Sequence, residues 1–279
     1  MNQNGAAAEI RPARRNIKLV VAYNGAAYHG WQRQLEPFDT VQQRIEHVAA
    51  TVVKHPVTVH GAGRTDAGVH ASGQVANFHT TNFSVPLVGL RRAMNSRLPR
   101  DIAILSAEVV PDGFHASMSA IGKTYRYRIW PSPVKPVELA GQVYHYWRPL
   151  DAGAIAAGAA RLIGTHDFRG FATSAEKREN TVRTIYRCEV AEEGGEIIVT
   201  VQGNGFLYNM VRNIVGTLVE IGRGRWEPSQ IDLVLETRDR RLAGPTAPPD
   251  GLTMVCVHYP ELIETVRRSG LYWSAGDRE

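Results

Sequence analysis

Residues 181–202, TVRTIYRCEVAEEGGEIIVTVQ, decide the class of fold. Two β-rich runs, 181–191 and 196–202, are joined through Gly194-Gly195, a pair that tolerates the positive φ angles of a tight hairpin. The strands so predicted are antiparallel neighbours. Just downstream, Leu207, Met210, Val211, Ile214, Val215, Leu218 and Val219 fall at the i, i+3, i+4, i+7 spacing of a helix with a buried stripe. The opposite face of that helix carries Asn209, Arg212, Asn213 and Gly216. Upstream, Lys123 to Trp130 alternates as a strand, with Tyr125, Tyr127 and Ile129 on one face and Arg126, Arg128 and Trp130 on the other. Asp151 caps an Ala-rich helix reaching Gly164, Pro228 begins another helix, and 252–259 is a late strand.

The first half is built from the same parts. A β-rich run over 16–23 is followed by a Gly/Tyr/Trp loop and a helix over 41–53, for which Thr40 and Gln43 form a capping box. Val41, Ile45, Val48, Ala49 and Val52 are its apolar stripe. Strands over 56–60 and 73–80 flank a loop of small and polar residues. Pro86 opens a helix with Leu87, Leu90, Met94 and Leu98 on one side, and a strand over 101–110 closes this half. Strand runs joined by hairpins, with helices between them, predict an α+β fold and not a doubly wound parallel sheet.

At 279 residues the chain makes one large or two ordinary domains and buries ~75% of its unfolded surface without help from disulfides. Its two cysteines, Cys188 and Cys256, form no CxxC motif, which fits a reducing, cytoplasmic compartment. No apolar run approaches the ~18 residues of a membrane span, so no membrane partner is expected. Residues 1–15 hold an Ala run and three arginines but no apolar core, and read as a disordered basic tail. Residues 264–279 read as a second tail.

The net charge is +5, carried by 27 Arg and 5 Lys against 27 acids. Its distribution says more than its total. Residues 84–130 are net +4 and 161–187 net +3, while 188–222 are net −4 with Arg212 as the lone basic residue. Patches of this kind predict a basic groove for an RNA stem, not a uniformly cationic surface. A GC-rich genome also favours Arg over Lys, but Arg64 and Arg212 occupy positions that composition does not account for.

The loop Gly61-Ala62-Gly63-Arg64-Thr65-Asp66-Ala67-Gly68-Val69-His70-Ala71 is the least ordinary segment. It lacks the Lys-Ser/Thr of a P-loop, and Asp66 stands where a dinucleotide fingerprint needs its third glycine. There remain an Arg and an Asp two residues apart on a loop whose glycines permit tight turns and close backbone approach. Spacing alone leaves open a turn Asp bonded to its own backbone, with Arg64 as a surface charge. The strand Lys123-Thr124-Tyr125-Arg126-Tyr127-Arg128 separates an aromatic face from a basic one, a pattern suited to stacking bases and tracking phosphates, or simply to a packed strand with a solvated side. Arg212, on an otherwise uncharged helix face, calls for a carboxylate partner. There is no HExxH and no GxSxG, and the ten His are scattered, so neither a metal site nor a serine triad is expected.

Taken in order, these segments resemble the bacterial tRNA pseudouridine synthase A family. The resemblance runs from about Asn16 to Glu261 and rests first on Gly63 through Ala71. It is reinforced by Gly30-Trp31-Gln32-Arg33-Gln34, Gly73-Gln74-Val75, Phe114-His115-Ala116, Tyr125-Arg126-Tyr127, His166-Asp167-Phe168, Asn209 through Gly216, and Gly251-Leu252. The resemblance implies two similar α/β domains, 16–113 and 114–263, around an extended, mostly antiparallel sheet flanked by helices, and a homodimer. It further implies that Asp66 is the catalytic carboxylate, Arg212 its ion-pair partner and Tyr125 the residue against the target base, while Arg64 fills the space left by a flipped nucleotide. Arg126 and Arg128 are expected among the substrate contacts. The implied substrate is uridine at positions 38, 39 and 40 of the tRNA anticodon stem-loop, with no DNA partner. The sequence departs from the pattern at Lys123, where many members have Arg, and in the stiff stretch Pro245, Pro248-Pro249.

Pseudouridine formation breaks the N1–C1′ bond, turns the uracil and joins C5 to C1′, with no net redox change. No cofactor is therefore expected. The step needs a nucleophile or a charge partner at the sugar or ring, and an ionised carboxylate serves either role. A stacked uridine must first be flipped out, at a cost of a few kcal/mol. Two other readings compete: a catalytically silent tRNA-binding protein, and a carboxylate-dependent phosphoesterase requiring several clustered acids.

Overall fold

The computed structural model describes residues 14–173 and 176–260. The tails expected at 1–15 and 264–279 lie outside it, except for Arg14 and Arg15. These two are tied down: Arg14 pairs with Asp112, and Arg15 begins the first strand and donates to the Val85 carbonyl.

The strands are β1 (Arg15–Tyr23), β2 (His60–Gly61), β3 (His70–Thr80), β4 (Ile102–Val110), β5 (Gly122–Pro131), β6 (Tyr144–Tyr146), β7 (Gly164–Asp167), β8 (Val182–Glu193), β9 (Glu196–Gly203) and β10 (Leu252–His258). They form one mixed sheet in the order β4-β1-β3-β10-β5-β9-β8-β7, with β2 added to β3 and β6 to β5. The helices are α1 (Val41–Val53), α2 (Leu87–Asn95), α3 (Ala152–Ala160), α4 (Met210–Gly222) and α5 (Gln230–Thr237). This is the α+β architecture expected from the hairpin. Gly194 and Gly195 take φ of 58° and 85°, as the β8–β9 turn requires.

The last strand sits in the middle of the sheet. β10 runs parallel to β3, with Thr253 opposite His70, and antiparallel to β5, with Met254 opposite Tyr125. The sheet therefore continues across residue 113, and a single apolar core includes Ile17 and Phe78 from one half and Tyr127, Val199 and Leu218 from the other. Because β3 and β10 are parallel, the chain segments that lead into them emerge at the same end. Those segments are 61–69 and 243–251, and they carry the site.

Several expected elements differ in extent, each for a local reason. The strand expected at 56–60 shrinks to β2, because the Val59 N–H and C=O bond to Glu46 and Gln42 of α1 and not to a neighbouring strand. The helix after Asp151 keeps its cap, with the carboxylate accepting from Ala154 N–H, but ends at Ala160. Gly164, at φ 118°, instead starts β7. Helix α4 begins at Met210, since Asn209 is left-handed at φ 59° and stops the helix from extending back to Leu207. Its polar side is not a solvent face either. Every α4 residue except Arg212 is buried.

Candidate active site

Beyond β2, residues 62–69 have no regular structure, and their neighbours grip them by the backbone. Trp31 N–H donates to Thr65 O at 3.0 Å, Gly68 N–H to Tyr28 O at 3.3 Å, and Ala62 N–H to Val75 O at 2.8 Å. The buried Gln74 side chain donates to Gly63 O at 2.7 Å, and the Tyr23 and Thr65 hydroxyls meet at 2.7 Å. Burial pushes the Tyr23 phenol up to about 12, so it stays protonated and keeps this bond. Gly30 is present because the Thr65 carbonyl lies 2.6 Å from where its Cβ would be, at a φ of 89°. The segments Gly30 through Gln34 and Gly73 through Val75 thus act as the mould of the Asp66 loop.

On the other side, Arg212 points out of α4 into the cleft. Its guanidinium donates to Asp66 Oδ2 at 3.1 Å, to Asn209 Oδ1 at 3.1 Å and, through Nε, to Ala247 O at 2.7 Å. Three contacts in fixed directions are what a planar fork provides and an ammonium does not. The Ala247 carbonyl belongs to a strap, residues 243–250, that lies across α4. A Cβ on Gly216 would stand 1.7 Å from Pro245 O, so only glycine lets the strap lie this close. Further along, Pro248 O accepts from the Tyr127 hydroxyl at 2.7 Å, and Asp250 O meets His70 Nε2 at 3.1 Å. The prolines that look like departures in the sequence are parts of this strap.

Tyr125 lies on the buried face of β5, its ring edge-on to Phe206 at 5.1 Å and 84°. Burial, with smaller effects from Tyr23 and the Asp66 carboxylate, pushes its phenol well up and keeps it protonated at neutral pH. Asp66, Arg212, Tyr125 and the exposed Arg64 border one cleft of about 950 Å³. Arg126 and Arg128 do not line it. Strand alternation turns both to the opposite face of β5, where Arg128 is held by Glu196 through two 2.6 Å bonds and Arg126 is exposed. Sequence reasoning missed Lys123, Asn209 and Phe206, all of which line the cleft, and the Ala247 carbonyl behind Arg212. Lys123 was detectable, being two residues from Tyr125 and therefore on its face.

A single sheet thus brings a carboxylate–arginine pair and a tyrosine into one cleft that Arg64, Lys123, Lys177 and Arg178 also border. The family model described as tRNA pseudouridine synthase matches residues 19–117 and 159–260. Similar proteins named tRNA pseudouridine synthase A occur in Coxiella burnetii (strain Dugway 5J108-111), 44% identical over 88% of this chain and 93% of that protein, and in Acinetobacter baumannii (strain ATCC 17978), 41% identical over 88% and 92%. The chain belongs to the tRNA pseudouridine synthase family, whose members isomerise uridine to pseudouridine. Among solved structures, a chain of an archaeal box H/ACA sRNP Nop10-Cbf5 complex aligns at 10% identity, covering 73% of this chain and 43% of that one, with a TM-score of 0.31. That likeness is too distant to bear on the site.

Proposed function

We propose that this isomerase acts on uridines 38, 39 and 40 of the tRNA anticodon stem-loop, with Asp66 as its nucleophile and the target base flipped into the cleft. The observation that carries this reading is the Asp66–Arg212 pair at 3.1 Å beside Tyr125, inside the Gly-Arg-Thr-Asp-Ala-Gly-Val-His-Ala loop. Arg212 aims the carboxylate through its 3.1 Å bond to Oδ2, so that it meets C1′ or the ring as the N1–C1′ bond breaks. The uracil turns, C5 joins C1′, the bond to the Asp66 carboxylate breaks to free the enzyme, and the proton C5 loses to solvent is matched by the one N1 takes up. Tyr125 stacks on the extruded ring and holds it during the rotation. Burial keeps its phenol protonated before the base enters. Arg64, exposed at the rim, enters the gap left in the RNA stack.

A cytoplasmic homodimer completes the proposal. The free thiols of Cys188 and Cys256 fit a reducing compartment, and Leu105 and Val109 on the edge strand β4 are exposed apolar residues that a second copy would cover. Among the described residues, no helix is long and apolar enough to cross a membrane. The phosphoesterase reading needs clustered acids, and among the described residues no three His, Cys, Asp or Glu side chains are grouped to hold a metal.

The test is tritium release from tRNA carrying C5-labelled uridine. Wild type is expected to release label, and Asp66→Ala to lose release by at least ~10³-fold while still binding tRNA. Equal release from both would overturn the role of Asp66, and release mapped outside positions 38–40 would overturn the assigned substrate site.

A further inference from the structure

Lys123 has no place in the reaction as set out above, yet it occupies an unusual position. It lies in β5, between β10 and β9, opposite Val257 on one side and Gly203 on the other, on the same face as Tyr125. Lysine is uncommon in central strands and almost never buried unless it is paired. Lys123 is largely withdrawn from solvent, borders the cleft, and among the described residues has neither a carboxylate partner nor a hydrogen-bond acceptor.

Its surroundings are arranged to keep the ammonium free. Gly63 leaves space above it, since a Cβ there would stand 3.2 Å from Nζ, and Met254 packs beside the same spot. The charge acting on it most strongly is that of Arg178, another cation. Together with burial, Arg178 pushes the Lys123 ammonium down from its ordinary value. Glu176 is the ion-pair partner of Arg178 and not of Lys123: it accepts from the Arg178 guanidinium at 3.3 Å, Arg178 N–H at 3.0 Å and Tyr208 N–H at 2.8 Å, so there is one carboxylate for two cations. A largely buried ammonium with no counter-ion of its own, in a cleft that Arg178 also borders, is unfavourable unless an anion completes it.

We propose that Lys123, assisted by Arg178, forms a backbone-phosphate site that holds the phosphate flanking the extruded uridine. Lys123 lies one two-residue strand step, ~6.7 Å, from Tyr125, so one strand presents both the ring that meets the base and the cation that meets its backbone. Fixing that phosphate anchors the ribose while the uracil, detached from C1′, turns against Tyr125. Lys123 is thus a substrate-positioning residue, and this role rests on the tRNA reading of the cleft given above.

The experiment compares Lys123→Met, which keeps the length of the stem and its contact with Met254, with Lys123→Arg, which keeps the charge. Binding of tRNA is measured across a salt series in the Asp66→Ala background, and tritium release is measured in the otherwise wild-type chain. Lys123→Met is expected to weaken binding roughly tenfold or more and to lower the slope of log K against log salt by about 0.7–0.9, one phosphate contact. KM should rise by more than kcat falls, and Lys123→Arg should recover most of both. Binding and salt slope unchanged in Lys123→Met would overturn the proposal, leaving the side chain a packing role. So would a Lys123→Arg enzyme that binds normally but no longer turns over, since that is the behaviour of a proton-transfer lysine. If wild type itself neither binds tRNA nor releases label, the tRNA reading fails and the phosphate site with it. Failure of Lys123→Met alone leaves that reading standing.

Discussion

The two groups of the central ion pair are held in place by opposite means. Asp66 sits on a loop without regular structure, gripped at Thr65 and Gly63 by bonds donated by Trp31 N–H and the Gln74 amide and at Gly68 by a bond accepted by Tyr28 O. Arg212 sits on a helix whose other residues are all buried, and its guanidinium is fixed from behind by a strap carbonyl. Hydrogen bonds to a loop backbone fix a direction while leaving the side chain free to react. Packing around a helix fixes a position firmly, and it also ties that position to contacts some distance along the helix. The carboxylate side is therefore sensitive to its immediate mould, and the arginine side to remote packing.

The sharpest way to break this comparison is Arg212→Lys. The charge remains, but an ammonium cannot meet Asp66, Asn209 and Ala247 in three fixed directions. Turnover is expected to fall on the order of 10²–10³-fold, the loss typical of one misdirected electrostatic group, with tRNA affinity nearly unchanged. Single-turnover kinetics at saturating tRNA check it. A Lys enzyme of near wild-type rate would mean that charge alone suffices and that the strap is irrelevant to chemistry.

Gly216→Ala tests the remote half. The added Cβ would meet Pro245 O at 1.7 Å, backbone against backbone, so the strap must move and carry Ala247 O away from Arg212 Nε. Overpacking of this kind costs ~1–3 kcal/mol, which should lower Tm by roughly 2–5 °C in thermal unfolding of a chain this long. Turnover should fall about tenfold at temperatures where the variant is fully folded, even though residue 216 borders no part of the cleft. A stability loss with unaltered turnover would show that the strap holds the fold together but does not aim Arg212.

How far the sequence shows all this depends on the range of the forces involved. Helices α1 and α4 and the β8–β9 hairpin follow from periodicity and two glycines, which are local signals. Arg212 could be singled out because a lone charge on an uncharged helix face needs a partner, and the Asp66 loop because its glycines and charges fit no phosphate motif. The strap is not legible in this way, because its contacts with Gly216, Tyr127 and His70 join residues more than twenty positions apart and leave no period behind. Strand alternation in β5 defines two faces but does not say which one meets substrate. The basic face with Arg126 and Arg128 draws attention, while Lys123 stands out only as a departure from the family pattern and not as a neighbour of Tyr125 on the aromatic face. Residues 56–60 fail as a strand because side chains of α1 take the bonds that a neighbouring strand would have taken.

The smallest expected effect concerns the joint between the two sides. His70 Nδ1 accepts from Gly25 N–H at 3.0 Å while Nε2 meets Asp250 O at 3.1 Å, so one imidazole ties the turn at Gly25, packed against the end of the Asp66 loop at Val69, to the end of the strap. The neutral ring with its proton on Nε2 satisfies both bonds, and a second proton on Nδ1 would set donor against donor. Burial, the largest cause, and the charge of Arg128 hold the His70 pKa below its ordinary value, against the opposing pull of the Asp250 and Gly141 carbonyls and the Asp250 carboxylate. The unfolded chain therefore takes up this proton at a higher pH than the folded one. Stability from His70 is fully present above the unfolded value of about 6.5 and is lost as pH falls from there through the depressed folded value. His60 and His258 are shifted the same way by burial and add to the trend. Urea midpoints are expected to fall between pH 7.5 and 5.5, by less in His70→Gln than in wild type, with a difference of about 1 kcal/mol or less. Equal slopes in the two proteins would assign the whole pH effect to the other histidines and leave the joint without a pH-sensitive contact.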